Sequence, residues 1–167
     1  MNAITGDAGG GGHVALLRRI KRTLPHTTLW LDLGVRDMDD YEAVRALDIG
    51  TPVIGSETLA ETDTLAALKR ARADCILSLD FDARRLRGPA GLLDAAAHWP
   101  ATVIVLALDA IGGGGPRLEL PARARELAPQ CKVAYGGGVR HGRDLRALEA
   151  AGADYVLAAN ALYTAKI

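Results

Sequence analysis

The chain has 167 residues, 20 basic against 20 acidic, with 49% hydrophobic and only 4% aromatic residues. Cancelled charge without like-charge blocks argues against nucleic acid or an anionic membrane as the main partner. No apolar stretch approaches the ~20 residues of a membrane span and no basic-then-apolar signal peptide opens the chain, so 1–167 reads as one cytoplasmic domain with an aliphatic core.

Residues 2–12, NAITGDAGGGG, run a scrap of apolar chain into a glycine cluster. Short apolar runs follow: TTLWLDL (27–33), TPVIG (51–55), DCILSLDF (74–81), ATVIVLALD (101–109), CKVAYG (131–136) and DYVLAA (154–159). They are rich in Val, Ile and Leu with little polar alternation, as strands buried on both faces are. Between them DDYEAVRALDIG, LAETDTLAALKRARA, GPAGLLDAAAHW, LELPARARELA and HGRDLRALEAAGA space Leu or Ala by three and four, which predicts helices. Strict alternation of the two predicts a parallel α/β protein. Cys75 and Cys131 open apolar runs and read as buried thiols, not as a disulfide or metal pair.

GVR occurs at 34–36 and again at 138–140, an offset of 138 − 34 = 104. At that offset Tyr41 meets Leu145, Val44 meets Leu148, Val53 meets Leu157 and Ser56 meets Asn160, without a gap. A β-α-β-α unit duplicated four strands apart predicts a TIM-type (β/α)8 barrel built from two halves. The AI-then-glycine tail of LDAIGGGG (108–115) is echoed at Ala3-Ile4, so residues 1–12 read as the loop leaving a second strand. The six runs are then strands three to eight. A full barrel takes about 250 residues, so roughly 80 residues are expected ahead of this chain. The outer edges of its first and last strands are expected to lie unpaired or under another subunit, which leaves a homo-oligomer open.

Function in such barrels sits at the C-terminal strand ends. Glycines in YGGGVR (135–140) and the AAN turn at 158–160 predict a phosphate site, with LGVR (33–36) and IGSE (54–57) as its weaker duplicate. The competing reading is that these glycines only make tight turns. In LSLDFDA (77–83) strand alternation puts Asp80 and Asp82 on one side. Asp80 is a candidate general acid or base, or else it caps and orients the basic loop RRLRG (84–88). Asp32, Asp82 and Asp109 are further candidates at the mouth. His13, His26, His98 and His141 lack ligand spacing, although His141 follows GGGVR and could face a phosphate. GGGGP (112–116) lacks the Lys and hydroxyl of a P-loop. No cofactor or metal is expected.

These segments resemble the histidine-biosynthesis barrel family of the ProFAR isomerase and the imidazole glycerol phosphate synthase cyclase. GVRDMDDYEAVRAL resembles its GGGIR segment, PVIGSET its strand-four phosphate turn and ILSLDFD its strand-five acid. YGGGVRHGRDLRALEAAGADYVLAANALYTAKI resembles its closing SGG and VG-R-ALY strands. The resemblance implies a phosphorylated, sugar-linked small-molecule substrate with two phosphates. Gly137, Gly138, Ala159 and Asn160 would hold one, and Gly34, Gly55 and Ser56 the other. It implies an aldose–ketose (Amadori-type) isomerase in which Asp80 is the strand-five catalytic acid. The chain departs from the family where Asp32 and Leu33 replace loop glycines, Ala159 a turn glycine and IGGGG a D-G-T, and its partner acid belongs to strand one. A non-catalytic phosphate-binding or assembly relative therefore stands beside the enzyme, as does an inactive truncated chain. LWLDLGVRD with NAITGD is similar to a branch found with one-carbon metabolism.

Overall fold

The computed structural model describes residues 11–112, 114–159 and 161; residues 1–10 of the predicted N-terminal loop, and Asn160, lie outside them. Helix α1 (Gly11–Thr23) takes up the last two residues of that loop. Strand β1 (Trp30–Asp32), helix α2 (Met38–Arg45), strand β2 (Thr51–Gly55) and helix α3 (Asp63–Arg70) follow. Then come β3 (Ile76–Asp82), β4 (Arg85–Arg87), β5 (Thr102–Ala107), α4 (Glu119–Leu127), β6 (Lys132–Gly136), α5 (Gly142–Ala150) and β7 (Tyr155–Leu157).

Six strands run parallel in the order β1-β2-β3-β5-β6-β7, each joined to the next by chain crossing the outside of the sheet. This is the predicted partial barrel of parallel strands with helices between. Residues on one face of the strands form the main core with the helices: Ile54, Leu77, Leu79, Val103, Val105, Val133 and Tyr135 pack with Tyr41, Leu65 and Leu148. Alternate residues on the other face, Val53, Ile76, Ile104 and Ala134, form a smaller cluster inside the curl. Burial on both faces is why these strands show no polar alternation. Each fully buried aliphatic side chain contributes about 1.5–3 kcal/mol.

Among the described residues β1 and β7 have no partner strand on their outer sides. They still approach each other, since the Trp30 and Tyr155 rings meet edge to face with centroids 6.5 Å apart. The sheet is therefore curled, so that side chains of its two edge strands meet.

Two predicted elements differ. GPAGLLDAAAHW is not an α-helix but a run of turns closed by a 3-10 turn at Ala96–His98. Gly88 and Gly91 take φ of +146° and +78°, outside any helix, and Pro89 between them removes a donor. Leu92, Ala96 and Trp99 are buried regardless, and the indole Nε1 donates to the Leu92 carbonyl at 3.1 Å. Helical spacing was thus satisfied by a folded loop. The basic stretch RRLRG is likewise not a loop. Its first three residues after the turn, Arg85 to Arg87, form β4, antiparallel to β3 with Asp80 opposite Arg87 and Asp82 opposite Arg85. β4 takes the edge of β3 that β2 vacates beyond Ser78.

Candidate functional site

The C-terminal strand ends carry the polar residues of the inner face. Asp80, on β3, is only 5% exposed. Its carboxylate accepts from the Ser78 hydroxyl at 2.7 Å and from the Ser56 hydroxyl at 3.3 Å, while its N–H donates to Ser56 Oγ at 2.9 Å. Two hydroxyls thereby hold one carboxyl in a single orientation at the mouth, as a group that moves protons requires. Ser56 is itself fully buried. The alternative role for Asp80, pairing with an arginine of the following segment, falls to its neighbour: Arg87 binds Asp82 at 2.8 Å and approaches Glu57 at 3.8 Å.

Asp32 ends β1 on the inner face, level with Val53. Its Oδ1 accepts from the Gly34 N–H at 3.3 Å. Its two oxygens lie 3.7 and 3.9 Å from where a Cβ on Gly55 would stand. The loss of hydration among these neighbours raises the Asp32 pKa above its ordinary 3.8; the Gly34 N–H works against this and the charge of Asp80 adds to it. Asp32, Gly55, Ser56 and Asp80 are thus one group. Gly34 needs its glycine for φ +73° and has open space where a side chain would go.

Across the mouth Gly137 and Gly138 take φ of +117° and +68°. A Cβ on Gly137 would lie 2.4 Å from the Ala107 carbonyl oxygen, and one on Gly138 would lie 2.4 Å from that of Gly115. Packing against the end of β5 and the loop after it therefore demands both glycines. Among the described residues their N–H groups make no hydrogen bond, so two backbone donors are available; Ala159 lies two residues past the end of β7. Asp109 stands apart in an ion pair with Arg117, whose N–H donates to the Tyr135 hydroxyl at 2.7 Å. His141 Nδ1 sits 3.5 Å from Asp144, on the helix side of its loop.

Sequence reasoning passed over Ser78, although its place two residues before Asp80 on a strand puts both on one face. It also passed over the matched pairs Arg36–Asp40 and Arg140–Asp144, at 2.8 and 3.3 Å, which the R-x-x-x-D spacing in both copies of the repeat announces. Nothing local signals the contact of Tyr135 with Arg117. Both cysteines are buried and unbridged, and burial pushes the Cys75 thiol up to about 11. Cys75 lines a cavity of about 250 Å³ with His98 and Trp99 at the opposite, N-terminal end of β3. No described helix is long and apolar enough to cross a membrane.

No curated protein matches the chain. A family model described as "Histidine biosynthesis protein" matches residues 4–167. The partial barrel of parallel strands agrees with that match, and the chain belongs to the histidine biosynthesis protein family.

Proposed function

We propose that this protein is an isomerase-like barrel that binds a phosphorylated, sugar-linked metabolite and interconverts its aldose and ketose forms in an Amadori-type reaction. Asp80 is the acid–base group. The observation that carries this reading is the nearly complete burial of Asp80 at the mouth with Ser78 and Ser56 fixing its carboxyl. A carboxyl held this way can give a proton to a ring oxygen as an aminoaldose opens and take one back as the ketose forms, which is worth about 10²–10⁴-fold in rate.

The phosphate is held by the Gly137 and Gly138 N–H groups, with Ala159 as a further binding residue after β7. Support comes from the unengaged donors at 137 and 138 and from the family match. Asp80→Asn keeps one acceptor oxygen for a serine hydroxyl, turns an amide donor toward the oxygen of the other serine, and removes the proton carrier. Assayed with phosphorylated aminoaldoses, it is expected to lower turnover at least about 10²-fold and to leave ribose 5-phosphate affinity nearly unchanged. Equal turnover by the variant would remove Asp80 from the mechanism.

A non-catalytic binding relative remains the second reading, favoured by the extent to which Asp80 is already engaged by serine hydroxyls. It predicts no turnover in wild type and variant alike, with the affinity retained.

A further inference from the structure

The two anion loops are copies of one unit, yet one of them is already filled by the protein's own carboxylate. We infer that the ligand carries phosphate at one end only, at Gly137 and Gly138, and presents a cationic or hydrogen-bond-donating group to Asp32 and Asp80 at the other. The inference rests on the phosphate-binding reading above and narrows its substrate class.

At the repeat offset, 32 + 104 = 136, so Asp32 occupies the position held by Gly136 in the second copy. Gly136 has no side chain to place in the mouth. Asp32 places a carboxylate there, beside Gly55 and on the Gly34 N–H. The donors of Arg36 and Ser56 at this end are engaged as well. The Arg36 N–H and guanidinium both bind Asp40, at 3.1 and 2.8 Å, and the Ser56 hydroxyl and N–H bind Asp80 and the Ser78 carbonyl. A phosphate arriving here would have to displace Asp32 from Gly34 and then sit within about 4 Å of its charge. Like-charge repulsion at that distance changes affinity by about tenfold or more. An ammonium or hydroxyl meets two acceptors instead, and its proton satisfies them.

Calorimetry on the whole chain at neutral pH distinguishes the possibilities, with inorganic phosphate, glucosamine 6-phosphate and fructose 1,6-bisphosphate as probes. Wild type is expected to bind glucosamine 6-phosphate at least tenfold more tightly than the bisphosphate. Asp32→Asn keeps the Gly34 bond, removes the charge, and is expected to narrow that gap at least fivefold while leaving inorganic phosphate affinity unchanged. A wild type that prefers the bisphosphate overturns the inference, whether or not the variant folds. So does a gap that Asp32→Asn leaves intact. Failure of all three probes to bind wild type instead overturns the phosphate-binding reading, and the inference falls with it.

Discussion

Residues 34–55 and 138–159 carry one design in two settings. Gly34 and Gly138 share a left-handed conformation, φ +73° and +68°. Arg36 and Arg140 each donate a backbone N–H and a guanidinium to an aspartate four residues on. Helices α2 and α5 start at matched positions, and both turn at their ends through a positive φ, at Asp48 and Gly152. The surroundings differ. Gly138 is pressed onto the Gly115 carbonyl, and its neighbour Gly137 onto that of Ala107, while Gly34 faces open space. Asp144 is buried to 7% exposure, whereas Asp40 is half-buried. A motif can therefore repeat its backbone and its ion pair while neighbouring loops give the two copies different tolerance and different charge.

The largest test of this contrast lies in the glycines. Gly137→Ala must both strain φ and drive a Cβ into a carbonyl, so a loss of about 3 kcal/mol or more is expected in denaturant unfolding. Gly34→Ala meets only the φ penalty, about 1 kcal/mol. Equal losses would break the distinction between a packed loop and an open one.

The aspartates give the next effect. Asp144→Ala removes the acceptor of the Arg140 N–H and guanidinium in a buried place, with about 2 kcal/mol expected. Asp40→Ala opens an i, i+4 pair at the surface and is expected to take away less than 1 kcal/mol. Matched urea titrations of the two variants decide whether burial, and not the shared motif, sets the value of the pair.

The smallest effect concerns the base of the second copy. Asp154 stands where the first copy has Gly50, since 50 + 104 = 154. Burial works against its charge, but the Val133 N–H, Lys132 and Arg125 prevail and lower its pKa to about 2. A depressed carboxylate stabilises the fold above its unfolded value near 3.9 and loses that contribution as pH falls through its folded value. Asp154→Asn is accordingly expected to lose about 1 kcal/mol at pH 7 and to converge with wild type between about pH 4 and pH 2. Thermal unfolding across that range reads the convergence. A gap that persists at the acid end would place the role of Asp154 in packing and not in charge.

The parallel strands and the repeat were legible because both are local patterns. Unbroken Val, Ile and Leu runs reflect burial on two faces, and the 104-residue offset needs no knowledge of contacts. The inward direction of Asp80 was legible for the same reason, from its place in a strand. The segment 88–99 misled because Leu92, Ala96 and Trp99 bury at helical spacing on a chain whose glycines take positive φ. What the sequence did not show is that the hydroxyl of the phosphate candidate Ser56 is bonded to Asp80, and that the mouth candidates Asp82 and Asp109 are paired with Arg87 and Arg117.

Residue order alone determined the alternating elements, the duplicated half and the acid at the end of β3, because each depends on spacing along one strand or helix. Tertiary structure decided which polar groups are engaged. Ser56 and Asp80 are 24 residues apart in sequence and share a hydrogen bond, and the carboxyl of Asp32 comes beside Gly55 through the pairing of β1 with β2. Charge and hydrogen bonding act through space over a few ångströms, so which polar groups of the mouth are already engaged emerges only when the strands stand side by side.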